Sequence, residues 1–344
     1  MQRVQDLLSR GVGLWLADGA GAAPAGTAVV GTSGSTGEPK LVVLRREALV
    51  AAAEAATARL GFTATWHLAL EPRYVAGLMV LVRGLLGDGV AEAGGDLSRL
   101  RPRDGRNAVS VVATQLYRGL RVPETRRALA AMDAVLVGGA PLGASLRARA
   151  EAAGIRVIET YGMSETCGGV VWDGVPLPGV SVRLGKRGVG VRVGECDRIE
   201  LAGPTLFDGY LGRPELTAAV LRDGAVLTGD RGHFAPDGRL VVDGRLDDVV
   251  ISGGVNVDLA AVRAAAVALD PETAVLAVDD EEWGARVVLV ATAGTLGDWR
   301  ERLRTALPAA CLPRQLTIVD RIPRGAGGKP DRASLAALVA ATEG

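Results

Sequence analysis

Three apolar, β-branched runs constrain this chain most: NAVSVVA (107–113), DAVLVGG (133–139) and IRVIETYG (155–162). Each is apolar at successive rather than alternate positions, the pattern of a strand buried on both faces. Between them lie the helical stretches TQLYRGLRVPETRRALAAM and LGASLRARAEAAG. Strand, helix and strand in alternation predict a parallel sheet covered by helices. Ligands of open α/β sheets bind beyond the carboxyl ends of the strands. Here those ends read GGAPL and ETYGMSE.

The flanking segments extend this plan. REALVAAAEAATARLG reads as a helix ended by Gly61, WHLALEP as a strand and GLMVLVRGLL as a buried helix. From about 180 to 245 the helices stop and short strands take over (VSVRLG, RIELAG, AVLTGD, RLVVDG), which predicts a β-rich subdomain. After GRLDD the pattern changes again, to VVISGGVNV, LAAVRAAAVAL, ETAVLAVD, ARVVLVATA, LGDWRERLRTAL and QLTIVD. The expected fold is α/β. A large domain over 1–246 has helix-covered sheets and the β-rich subdomain, and a small mobile α+β domain spans 247–344.

The stretch GTSGSTGEPK (31–40) belongs to neither helix nor strand. The strands GTAVV and LVVL flank it, so it is expected to join a hairpin. Glycines allow close backbone approach, and successive amides in such turns form an anion-binding nest. Thr32, Ser33, Ser35 and Thr36 add donors and Lys40 adds a positive charge, so a polyphosphate is the natural guest. A Walker loop is excluded because Glu38 and Pro39 separate Gly37 from the lysine, and no GxGxxG fingerprint is present. A surface Gly/Ser turn is the plain alternative.

Bulk properties narrow the function. The 39 basic and 39 acidic residues cancel, which gives no pull toward nucleic acid or membrane. Three scattered cysteines, Cys167, Cys196 and Cys311, do not make a disulfide framework, and no CxxC or HExxH metal pattern occurs. MQRVQDLLSRG is polar and amphipathic rather than signal-like, and no uncharged apolar run reaches about 18 residues. A soluble cytoplasmic protein is expected; oligomeric state is not readable.

TSGSTGEPK, YGMSET, TGD followed by GRLDDVVISGG, and GGKPDR occur in that order from 31 to 332. Together they resemble the acyl-adenylate-forming, AMP-binding superfamily of acyl-CoA ligases, adenylation domains and luciferases. The chain is short for that superfamily, since the first motif begins only 31 residues in. LALEPRYVAGLMVLVRGL, VVATQL and EEWGARVV are similar, more narrowly, to actinobacterial o-succinylbenzoate–CoA ligases of menaquinone biosynthesis.

The resemblance implies a reaction in two halves. A carboxylate is joined to the α-phosphate of ATP with loss of pyrophosphate, and the acyl group then passes to coenzyme A. ATP, Mg2+ and coenzyme A are the implied cofactors, with a small-molecule carboxylic acid as substrate. The loop Thr32, Ser33, Gly34, Ser35, Thr36, Gly37 and Lys40 would clamp the phosphates. Lys329 would bridge substrate carboxylate and α-phosphate, and Glu165 would coordinate Mg2+. Only three lysines occur, Lys40, Lys186 and Lys329, and two of them fall in motifs. Tyr161 would stack on adenine opposite Gly139, Ala140 and Pro141, with Gly162 and Ser164 beside it. Asp230 would accept both ribose hydroxyls, Arg245 would lie near ribose and phosphate, and Asp247 would be the hinge. Gly253 and Gly254 would let the pantetheine arm pass.

Departures from the family pattern fall near the acyl and thioester regions. Arg73 and Tyr74 replace the histidine common after LALEP, and Val255, Asp258 and Leu259 replace glutamate and Tyr-Pro. Arg73 is the candidate donor to a second substrate carboxylate, with Tyr74 and Thr114 as weaker ones; a surface arginine paired with Glu71 is the alternative. His67 and His233 read as structural. Two other functions stay open at this point: a stand-alone adylating enzyme that loads a carrier protein, and a catalytically dead paralogue used as a binding module.

Overall fold

The computed structural model describes residues 1–32, 40–185, 197–325 and 330–342, and the side chains of 247, 249, 251 and 256 lie outside that description. Along the chain come α1 (Gln2–Arg10), β1 (Leu14–Trp15), β2 (Thr27–Thr32), β3 (Lys40–Arg45), α2 (Arg46–Leu60), β4 (Thr65–Leu68), α3 (Val75–Leu86) and β5 (Val90–Glu92). Next are β6 (Asn107–Val112), α4 (Ala113–Arg121), α5 (Pro123–Ala130), β7 (Ala134–Gly138), α6 (Ala144–Ala152), β8 (Val157–Met163), β9 (Gly168–Trp172) and β10 (Val175–Pro176). The seven-stranded sheet runs β10-β9-β8-β7-β6-β4-β5, parallel from β5 to β8 and antiparallel at β9 and β10.

Residue alternation shows why the strand sequences are apolar throughout. On β6, Ala108 faces Trp66, Val80 and Leu136, whereas Val109 and Val111 face Leu116, Leu120 and Leu129. One face packs on α2 and α3 and the other on α4 to α6. Beyond α2 and α3 lies a second sheet, β1-β2-β3 with Gly209–Tyr210 (β13) at its edge, so two sheets sandwich these helices. The predicted single helix after β6 is two, because Pro123 lacks the N–H to continue α4 and instead opens α5 at its first turn.

The β-rich part holds β11 (Ser181–Gly185), β12 (Asp197–Ala202), β13 (Gly209–Tyr210), α7 (Pro214–Val220), β14 (Leu221–Arg222), β15 (Ala225–Phe234) and β16 (Leu240–Arg245). The expectation that helices stop here is corrected by α7. It has Pro214 in its first turn and no fully buried residue, and only Leu216 and Val220, one turn apart, pack on the core, too short a stretch for a period to be read. The remaining elements are β17 (Val249–Ser252), β18 (Val255–Asp258), α8 (Leu259–Leu269), β19 (Thr273–Asp280), β20 (Gly284–Ala291), α9 (Leu296–Leu303), β21 (Gln315–Ile318) and α10 (Arg332–Ala341). Their sheet, β18-β17-β20-β19 with β21 on β20, has its own core around Val262, Val287, Leu289, Trp299 and Leu303.

Candidate active site

The corner expected to hold adenosine forms where β7 and β8 end beside the middle of β15. The β7–β8 register reaches Val137↔Glu159, and a Cβ on Gly138 would lie 2.5 Å from Thr160 Oγ1, so Gly139 comes level with Tyr161. Gly139, at φ 84°, opens an exposed shelf with Ala140 and Pro141. The Leu142 N–H donates to Glu159 Oε1 at 2.9 Å and holds that shelf against β8. The Tyr161 hydroxyl donates to Asp230 Oδ2 at 2.8 Å, and Arg245 lies 3.5 Å from Asp230 Oδ1 across the Asp230↔Arg245 register. Thr228 accepts the Asp230 N–H at 3.0 Å and donates to Ile199 O at 2.7 Å, which pins the turn. Burial, with the Asp230 charge added, pushes the Tyr161 hydroxyl far up, so it is a fixed donor.

The corner expected to hold phosphate sits at the open end of the β2–β3 pair, whose last register pair is Thr32↔Lys40. Ser33, Gly34, Ser35, Thr36 and Gly37 lie outside the described residues. Lys40 Nζ is 5.5 Å from the centre of the Tyr210 ring, and the Tyr210 hydroxyl donates to Glu165 Oε1 at 2.6 Å. The β13–β3 pairing Tyr210↔Val42 puts the ring there, and Thr217 of α7 accepts the Tyr210 N–H at 2.9 Å. Glu165 rides on a single 3-10 turn, Ser164–Thr166, closed by Thr166 Oγ1 bonds to Met163 and Gly168. Burial and the Glu165 carboxylate push the Tyr210 hydroxyl far up, so it too stays a donor. Nothing in the motifs singled out Tyr210; the signal available was a Phe–Tyr pair, FDGY, in a chain with 3% aromatics.

Other expected residues lie elsewhere. Lys329 and the Asp247 side chain are outside the described residues. Gly253 and Gly254, at φ 60° and 76°, form the β17–β18 turn. A Cβ on Gly253 would strike Trp283 at 2.6 Å, and the Arg314 guanidinium stacks on that indole at 3.4 Å. Thr114 is half-buried in the first turn of α4 and Tyr74 precedes α3. The expectation for Arg73 is corrected. Its side chain is 41% exposed and bonded to Glu71 at 2.7 Å and Asp18 at 2.8 Å, so two carboxylates already take up its fork. His67 is buried against Asn107 and His233 pairs with Asp243, both in structural settings.

A second arginine, ten residues on from Arg73, is buried. Arg83, on α3, is 6% exposed, its Nε has no partner, and its guanidinium lies 5.0 Å from the Trp66 ring. No ion pair reaches it among the described residues. Burial pushes it down to about 10, still cationic at neutral pH. It neighbours Cys167, which directly follows Glu165 and Thr166 and is pushed by burial up to about 12. Helical spacing inside an apolar run was the available signal, since it turns that arginine inward.

The family model described as AMP-binding enzyme matches residues 27–211, which hold Lys40, Tyr161, Glu165 and Tyr210 but not Asp230 or Arg245. The chain belongs to the AMP-binding enzyme family. Over 328 residues it is 39% identical to a protein of Mycobacterium tuberculosis (strain ATCC 25618 / H37Rv) named probable 2-succinylbenzoate–CoA ligase, covering 89% of this chain and 83% of that one. Over 346 residues it is 30% identical to 2-succinylbenzoate–CoA ligase of Geobacillus sp. (strain WCH70), covering 90% and 68%. The Bacillus subtilis o-succinylbenzoate CoA synthetase, solved with its acyl-adenylate intermediate, superposes with TM-score 0.76 at 25% identity over 90% of this chain and 68% of that one.

This AMP-binding enzyme is an AMP-forming acyl-CoA ligase that uses ATP, Mg2+ and coenzyme A. Among the described residues no group of three or more His, Cys, Asp or Glu could hold a metal alone. Glu165 offers one hard oxygen ligand at the phosphate corner. That fits Mg2+ carried on ATP, since the ion takes one or two carboxylates and fills its shell with phosphate and water. No helix among the described residues is long and apolar enough to cross a membrane.

Proposed function

We propose that the enzyme is an o-succinylbenzoate–CoA ligase acting in the cytoplasm. It activates the aliphatic carboxylate of the diacid and holds the aromatic carboxylate unreacted. The observation that carries this reading is Arg83: a guanidinium buried without an anionic partner costs several kcal/mol, roughly, unless a ligand supplies one. A carboxylate can satisfy its fork bidentately. The names of the relatives point the same way.

In the first half-reaction a substrate carboxylate oxygen attacks the α-phosphorus and pyrophosphate leaves. Lys40 and the 33–37 loop would hold the β- and γ-phosphates, and Lys329 would neutralise charge at the α-phosphate. Glu165, held by Tyr210, would bind Mg2+, which supplies further charge neutralisation on phosphate oxygens. Asp230 would accept the ribose hydroxyls, while Tyr161 and the 139–141 shelf enclose adenine. In the second half the coenzyme A sulfur attacks the acyl carbonyl and AMP leaves. The hinge sits at Asp247, where the domains 1–246 and 247–344 meet. Gly253 and Gly254 line the pantetheine path.

Pyrophosphate release across a panel of carboxylic acids, with and without coenzyme A, tests the reading. o-Succinylbenzoate should be preferred over its analogue lacking the ring carboxylate. Arg83→Met should raise KM for the diacid by roughly 10-fold or more, the equivalent of about 1.4 kcal/mol, with KM for ATP unchanged. A wild type indifferent to the ring carboxylate would sink the assignment.

A further inference from the structure

The Asp248 carboxylate, one residue past the hinge position, is 2% exposed. It receives Arg263 of α8 as a fork, Nη1 to Oδ2 at 3.1 Å and Nη2 to Oδ1 at 3.2 Å. Its Oδ1 also accepts Arg332 Nη2 at 2.8 Å. Arg332 opens α10 and stands three residues after Lys329 in GGKPDR. We propose that Asp248 and Arg332 are positioning residues: their ion pair, in which only the carboxylate is buried, fixes the start of α10, three residues after Lys329, relative to the hinge turn. The proposal rests on the reading of Lys329 as the adenylation lysine.

The surrounding contacts favour that role over simple adhesion. Arg324 and Pro330 form an isolated antiparallel bridge, and the Asp331 N–H donates to Pro323 O at 2.9 Å, so residues 323–324 and 330–331 are tied together. Asp331 also caps α10, accepting Ala333 N at 3.1 Å, which orients Arg332 toward Asp248. Burial pushes the Asp248 carboxyl up, but the bonds and charges of Arg263 and Arg332 outweigh that and keep it below its ordinary value. Arg263 satisfies Asp248 as a fork within the fold of the small domain. Arg332 is 53% exposed and adds little burial, so the contact it makes serves placement.

The two half-reactions separate the possibilities. Arg332→Gln should slow pyrophosphate release roughly 10- to 100-fold, the scale of a misplaced catalytic group, with KM for ATP little changed. Thioester formation from supplied acyl-adenylate and coenzyme A should stay near wild type, and Arg332→Lys should recover most of the lost rate. Lys329→Ala is run alongside. If it abolishes adenylation while Arg332→Gln leaves it untouched, the positioning role fails alone. If Lys329→Ala adenylates normally, the reading of Lys329 fails and takes the clamp's purpose with it. Equal loss in both halves, tracking a fall in Tm, would reduce Arg332 to a structural residue and overturn the proposal.

Discussion

His67 shows how a single side chain couples packing to pH. Asn107 Oδ1 already accepts the Arg103 N–H at 2.8 Å, so it accepts from His67 Nε2 as well and leaves Nδ1 buried with no partner. Burial is the main cause holding this imidazole below its ordinary value. Below about pH 6.5 the unfolded chain takes up the proton and the folded chain resists it, so stability should fall as pH drops. Tm measured from pH 7.5 to 5.5 should decline more steeply for wild type than for His67→Gln; parallel curves would refute this. Tyr210 is the other instructive residue. Tyr210→Phe keeps the ring beside Lys40 but removes the 2.6 Å bond to Glu165. Losing one hydrogen bond to a charged group costs about 1.5–3 kcal/mol. Adenylation kcat/KM for ATP should therefore fall roughly 10- to 100-fold, alongside a fall in Tm of a few degrees. An unaffected rate would show that Glu165 needs no such support.

At the scale of elements, the site depends on how β8 turns into β9. Their register shifts between Tyr161 and Gly162, and a Cβ at Gly162 would sit 2.1 Å from Gly168 O. The strands can close on each other there only without a side chain, and this closeness sets Tyr161 and Glu165 on either side of one irregularity. Gly162→Ala should cost about 1–3 kcal/mol of stability, the usual range for overpacking. Nucleotide affinity should drop along with it. Denaturant unfolding with ATP titration checks both, and a stable variant with native affinity would contradict the account. The short α7 acts likewise through one contact, Thr217 to Tyr210, although its own sequence is too short for a helical period to be read.

For the whole molecule the two half-reactions require one site to serve two chemistries. The small unit also touches the large one through Arg231 of β15, which pairs with Asp258 at the start of α8. Proline at the hinge position would lock φ and oppose rotation between these units. Asp247→Pro should leave pyrophosphate release within a few-fold of wild type and collapse thioester formation. Completion of both steps at normal rates would move the hinge elsewhere.

The strand runs at 107–113, 133–139 and 155–162 determined the parallel sheet by themselves, because burial on both faces demands apolar residues at every position. The motifs likewise named Thr32, Lys40, Glu165, Asp230 and Arg245 as candidates, since the chemistry expected of them needs particular side chains at local spacings. Tertiary structure alone decided the partners. Tyr210 meets Glu165 across 45 residues and Arg332 meets Asp248 across 84, separations over which no local periodicity carries information. It also separated Arg73 from Arg83. Both are arginines ten residues apart, and only the packing of α3 leaves the first at the surface with two carboxylates and turns the second inward beside Trp66.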